Sequence, residues 1–196
     1  YMPQYRNRHW DGKIRLFSTA TGELYVGLLD KVIAWARKSD YSVEFRNSET
    51  YGTPHEENEE ISLEGVKDYM TAISSFKPRD YQIDGVYDAL KYNRRLIISP
   101  TGSGKSLMIY AVARYHVGRK RRILLVVPTT SLVEQMYKDF TDYGWDVEKY
   151  CHKVYAGRNK NTQQRVTIST WQSIYTMDKT FFSQFDVIIG DEAHQF

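Results

Sequence analysis

The sequence predicts an α/β protein in which a large lobe built on a mainly parallel sheet follows a small α+β module. Three observations carry this. Short runs recur at 96–98, 123–127, 166–168 and 187–189, wholly apolar except for Thr167. Stretches with helical spacing separate them, at 80–92, 105–117 and 130–143, the last with Leu132, Met136 and Phe140 four residues apart. A loop with two glycines, 99–106, joins the first run to the helix after it. Repeated βα units with apolar strands imply a parallel sheet covered on both faces.

Taken in chain order, 13–17 and 23–27 read as two strands joined by a turn at Thr19-Ala20-Thr21-Gly22. Leu28, Leu29, Val32, Ile33, Trp35 and Ala36 follow at helical spacing, which places Trp35 in an apolar stripe and predicts it in the core. A third strand is expected at 41–45. The polar stretch 46–62, with Gly52, Pro54 and a run of glutamates, reads as a surface loop. The expected division is 1–50 as a small α+β N-terminal domain and candidate DNA-binding domain, 51–75 as an acidic connector, and 76–196 as the large lobe. No internal repeat or low-complexity segment interrupts it.

The 196 residues are 41% hydrophobic and 26% charged, an ordinary balance for a globular protein with a sizeable core. No apolar run approaches the roughly 20 residues needed to span a bilayer, and no signal segment opens the chain. It begins at Tyr1 rather than Met, which leads us to expect a start upstream. A single cysteine, Cys151, allows no internal disulfide, as expected in a reducing cytoplasm. His152 beside it has no second ligand pair at zinc spacing. Net charge is +3 but uneven: 91–122 contains nine lysines and arginines and no acid. Such patches favour polyanions through counterion release; a solvated surface is the other reading.

The loop Ser99-Pro100-Thr101-Gly102-Ser103-Gly104-Lys105-Ser106 stands between a strand and a helix, the setting of a phosphate-binding loop. Gly102 and Gly104 let successive N–H groups turn inward, and the helix adds its positive end. Thr101, Gly102, Ser103 and Gly104 would then cradle the phosphates of ATP. Lys105 would reach the β- and γ-phosphates, and the Ser106 hydroxyl would ligate Mg2+. Ser99 departs from the glycine of the strict pattern. A turn that merely links strand to helix is the plain alternative.

Near the end of the chain, Gly190-Asp191-Glu192-Ala193-His194 follows the apolar run 187–189. Ligands of open α/β sheets bind outside the carboxyl ends of the strands, so this pair and the phosphate loop should share a crevice. Asp191 suits Mg2+ held through water, and Glu192 suits a general base that activates the attacking water. Alone, such a pair is a solvated strand end; the loop upstream is what gives it a catalytic reading.

Together these residues resemble the DEAH-box group of superfamily 2 helicases, over about 76–196. Three further segments match. Lys77-Pro78-Arg79-Asp80-Tyr81-Gln82 is similar to the adenine-recognition segment of the RecG/XPB-like branch, which implies that Gln82 reads the adenine edge with support from Arg79 and Tyr81. The stretch 127–135, with Pro128, Thr129 and Thr130, resembles a motif that touches the nucleic-acid backbone. So does 169–173, with Thr170, Trp171 and Gln172. For each alone, a turn or helix cap is the better reading, and Thr129 and Thr130 would cap a helix in any case; their order and spacing between the two ATP motifs carry the resemblance. The resemblance also implies a RecA-like P-loop lobe, a coupling role for His194, and a second lobe beyond Phe196. Without that lobe the chain should hydrolyse little ATP.

A further likeness, to phage recombination helicases of the same superfamily, reaches into the small module through 7–16. It implies a DNA partner, single-stranded or branched, and a place in recombination, repair or replication in the host cytoplasm. Arg6, Arg8, Lys13 and Arg15, interleaved with aromatic residues, could hold phosphates while Trp10 stacks on a base. Trp10 could instead plug the module's core. Rival functions are the translocase subunit of a restriction enzyme, a nucleotide switch that does not move on nucleic acid, and a binding module that only holds DNA. The sequence leaves oligomeric state open.

Overall fold

The computed structural model describes residues 16–44, 57–92, 94–155 and 163–195. The chain divides into two compact units, Tyr1–Glu56 and Glu57–Phe196.

In the first unit, Phe17 and Leu24 pair as an antiparallel bridge around a turn closed by the Gly22 N–H on the Ser18 carbonyl at 2.8 Å. The expected hairpin is thus reduced to a single bridge. Helix α1, Leu29–Lys38, follows and buries Ala36. Trp35 does not join a core as its spacing predicts: it is 61% exposed and stacks on Tyr41, with ring centroids 5.6 Å apart. Residues 41–44 form no strand. The expected first strand up to 15 lies outside the described residues, as do Arg6, Arg8, Trp10, Lys13 and Arg15.

The second unit starts earlier than expected. Helix α2, Leu63–Ile73, occupies part of the segment read as a connector. The Ser62 hydroxyl caps it by accepting from the Gly65 N–H at 3.2 Å, a contact of about 1 kcal/mol. Val66 and Met70, four residues apart, enter the core. Helices α3 (Asp80–Lys91) and α4 (Lys105–Gly118) come next. Strand β1 spans Ile123–Val127, and helix α5, Thr130–Asp142, follows it. A short helix α6, Val147–Tyr150, leads into strand β2, Cys151–Val154. Strand β3 is Val166–Thr170, followed by α7, Trp171–Ile174, and α8, Lys179–Ser183. Strand β4, Val187–Gly190, closes the order.

The sheet runs β2-β3-β1-β4, parallel at every pairing, with Leu125 opposite both Ile168 and Ile189. All five residues of β1 and of β3 are buried. The pleat sends alternate side chains of β1 to opposite faces. Ile123, Leu125 and Val127 join the larger core with α2 through α5, while Leu124 and Val126 join a smaller one with Ile174 and Phe181. Helix α4 is apolar nearly all round, from Leu107 to Tyr115, because it lies inside that larger core. In α5 the deepest positions are Val133, Met136 and Phe140, and Leu132 is only partly buried. No described helix is long and apolar enough to cross a membrane.

One expected strand is absent. Residues 96–98 form no ladder, and Leu96 and Ile98 are 78% and 92% exposed. A strand exists only where a neighbour completes its hydrogen bonds. Among the described residues, the outer edge of β4 is open and the 96–98 segment pairs with none of the four strands.

Candidate functional site

The loop after 96–98 folds as its glycines demand. Gly102 and Gly104 adopt φ of +77° and +78°, the left-handed region where glycine alone is unstrained. Gly104 sits immediately before α4 and so aims the helix N-terminus into the loop. Ser103 is buried; its hydroxyl lies 2.6 Å from that of Ser99, and its N–H donates to the Pro100 carbonyl at 3.3 Å. The serine in place of the usual first glycine therefore braces the loop from within. Thr101 and Gly102 face solvent.

Gln82 and its neighbours clasp this loop. The Gln82 amide Nε2 donates to the Ser103 carbonyl at 2.9 Å, and its Oε1 accepts from the Arg79 N–H at 2.9 Å. The second contact caps α3. The Tyr81 hydroxyl donates to the same Ser103 carbonyl at 2.9 Å and receives Arg79 Nη1 at 2.9 Å. Gln82 is only 5% exposed, so both ends of its amide are fixed.

The acidic motif reaches the loop from the end of β4. The Asp191 N–H donates to the Val126 carbonyl at 2.9 Å, extending the pairing of β4 with β1 past the strand end. Glu192 carries φ +53°, a conformation that costs a non-glycine residue about 1–2 kcal/mol. It turns the carboxylate onto Lys105 in an ion pair across 87 residues of sequence. His194 Nδ1 lies 3.4 Å from the other Glu192 oxygen. The ammonium of Lys105 holds Glu192 below the usual carboxylate range. Asp191, 9% exposed, is pushed the other way, mainly by burial; Lys105 opposes that push and Glu192 adds to it. Two adjacent carboxylates thus differ in proton affinity because one faces an ammonium and the other is withdrawn from water.

Spacing gave no sign of a further contact. The Ser106 hydroxyl lies 2.8 Å from that of Tyr143, 37 residues away at the end of α5. Tyr143 is held by neighbours: its ring meets Tyr110 at 5.1 Å and the edge of Phe76 at 5.7 Å.

The two remaining motifs come together at the carboxyl ends of adjacent strands. Thr129 accepts from the Leu132 N–H at 3.3 Å and caps α5, as the plain reading of that motif has it. Pro128 and Thr129 follow β1, and Thr170 ends β3. In the amide orientation that satisfies both its ends, Gln172 donates to the Pro128 carbonyl at 3.3 Å and accepts from the Trp171 indole at 3.0 Å. Thr170 Oγ1 lies 2.8 Å from the Ser173 hydroxyl. Among the described residues no cluster of three His, Cys, Asp or Glu could hold a metal by itself.

Comparison with known proteins agrees with this picture. The family described as type III restriction enzyme, res subunit, matches residues 75–196. The ATP-dependent DNA helicase UvsW of Enterobacteria phage T4 is 30% identical over 206 residues, covering 99% of this chain and 39% of that protein. The DNA 3'-5' translocase XPB2 of Sulfurisphaera tokodaii is 30% identical over 116 residues, covering 59% of this chain and 25% of its own length. A crystal structure of T4 UvsW superposes with a TM-score of 0.79 at 29% identity, covering 99% of this chain and 70% of that one. The parallel sheet of this chain therefore matches the RecA-like lobe fold of that helicase structure. It spans less than half the length of the curated relatives it matches.

Proposed function

This chain belongs to the type III restriction enzyme res-subunit family of helicase motors, and from that premise we propose that it is the ATP-binding part of a superfamily 2 DNA helicase or translocase. The observation that supports this most is the Lys105–Glu192 ion pair, which joins the phosphate loop to the acidic motif.

In this reading ATP lies along the loop, with its phosphates on the N–H groups of 101–106 and its adenine edge at Gln82 once that amide turns from the Ser103 carbonyl to the base. Lys105 leaves Glu192 for the γ-phosphate, where negative charge is greater. Glu192, released from its ammonium, then accepts a proton from the attacking water. The donors Ser106 and Asp191 are hard oxygens, which suits Mg2+ held partly through water. Mg2+ there would neutralise charge on the β- and γ-phosphates. His194, whose Nδ1 lies 3.4 Å from Glu192, would report the state of that carboxylate to a second lobe, which would complete the site. The segments with Pro128, Thr129 and Thr130, and with Thr170, Trp171 and Gln172, offer hydroxyl and amide groups to a phosphate backbone. The basic residues Arg6, Arg8, Lys13 and Arg15, with Trp10, would add a second DNA contact in the small module.

A likeness to T4 UvsW that includes the small module favours remodelling of branched DNA in phage recombination, repair or replication over a restriction subunit. Such a motor would work in the cytoplasm of the host cell. The test is ATP turnover by the protein carried through a second lobe, without nucleic acid and then with single-stranded DNA, branched DNA, duplex DNA and RNA. Branched DNA should stimulate most, and Lys105→Ala should remove the activity. Turnover indifferent to every nucleic acid would replace the motor with a nucleotide switch.

A further inference from the structure

A serine that ligates a cation keeps its own proton. That proton needs an acceptor pointing away from the metal, or it competes with the metal for the space in front of the oxygen. In a helix interior a serine hydroxyl has an acceptor in the carbonyl four residues back. For Ser106 that residue is Gly102, which lies in the loop before the helix at φ +77° and is not helical. Tyr143 offers an acceptor, off the helix, at 2.8 Å.

Tyr143 is built to stay where it is. Its N–H donates to the Asp139 carbonyl at 2.9 Å, ending α5, and its own carbonyl lies 3.1 Å from the Tyr110 hydroxyl. The next residue, Gly144, turns the chain at φ +91° and drives Trp145 into the core against Tyr110 and Phe140. Phe76 closes the outer edge of the ring.

Resting on the reading of the loop as an ATP and Mg2+ site, we infer that Tyr143 is a positioning residue for Ser106: its hydroxyl accepts the serine proton and turns a serine lone pair toward the metal. Tyr143 touches neither nucleotide nor metal in this scheme; it acts through Ser106.

The test is binding of methylanthraniloyl-ATP, followed by fluorescence, as Mg2+ is titrated from an EDTA-treated start. Tyr143→Phe retains the ring and its contacts and removes only the hydroxyl. The Mg2+ concentration for half-maximal enhancement of binding should rise about fivefold, the worth of one ordinary hydrogen bond. Affinity without metal should not change. In a Ser106→Ala background, Tyr143→Phe should add nothing. An unchanged Mg2+ requirement overturns the inference, and so does an equal loss of affinity with and without metal, which would make Tyr143 merely structural. Measurement below the melting transitions of both proteins keeps the comparison valid if the variant is less stable. Lys105→Ala separates the two levels of the argument. If it binds nucleotide normally, the site reading itself fails; if it loses binding while Tyr143→Phe titrates like the parent, only the role of Tyr143 falls.

Discussion

Replacing Gly104 with alanine should damage this protein in two separable ways. The first is conformational: at φ +78° an L-residue costs about 1–2 kcal/mol more than glycine. The second is steric. A Cβ at this position would overlap Gln82 Nε2, and that amide can move only by giving up its hydrogen bonds to Ser103 and Arg79. At about 1 kcal/mol each, their loss brings the total to about 3–4 kcal/mol. Gly102 supplies the internal control. Its φ is +77°, yet an added Cβ would meet nothing within 4 Å, so Gly102→Ala should cost only the first term. At about 3 °C per kcal/mol for a unit of this size, the two melting temperatures should drop by about 10 °C and 3–6 °C, read by thermal denaturation. In a Gln82→Ala background the overlap disappears, and Gly104→Ala should then cost no more than Gly102→Ala. Equal costs for Gly104→Ala in the two backgrounds would refute the claim that Gln82 closes on the loop.

Three other outcomes are expected. Glu192→Gln should leave ATP binding intact, because it frees Lys105, while lowering turnover at least ~100-fold in the protein with a second lobe, as single-turnover kinetics would show. His116 is held down to about 4, first by burial and then by Arg121 and Arg119, against a small opposing pull from Asp186. It is therefore neutral in the fold but takes a proton in the unfolded chain below about 6.5, so stability should fall as pH drops from 6.5 toward 4. His116→Gln should flatten that slope in melting curves at stepped pH. Cys151 is buried and its thiol pushed up to about 12, so iodoacetamide at pH 8 should label it only after denaturant unfolds the strand.

The parts legible in the sequence are those where chemistry fixes residue identity over a few contiguous positions, or where one period runs over several turns. The loop from Ser99 to Ser106 and the Asp191-Glu192 pair belong to the first kind. Helices α3 and α5 belong to the second, while α4 and strand β1 are legible as unbroken apolar stretches. Helix α2 was hidden by its flank of glutamates, although Ser62 and the spacing of Val66 and Met70 were its signals. Strand β2 shows no alternation or apolar run, since His152 and Lys153 at its centre are only half-buried. Residues 96–98 mislead in the opposite direction: their apolarity speaks for a strand, but pairing depends on a neighbour that periodicity cannot supply. Trp35 fits an apolar stripe by spacing alone, yet its ring lies outside on Tyr41. The contact between Tyr143 and Ser106 is tertiary, and no local pattern encodes it.

The open side of β4 has a practical meaning for anyone handling this protein. Among the described residues, a row of backbone donors and acceptors stands unmatched along that side, with Ile188 exposed beside it. Leu96 and Ile98 add two more uncovered aliphatic side chains. An unpaired strand flanked by aliphatic groups is a template on which another copy can zip, so concentration and warmth should cloud solutions of the chain before its core melts. A lysine at position 188 would place a like charge on every such edge and keep the copies apart without touching the loop that ATP would occupy.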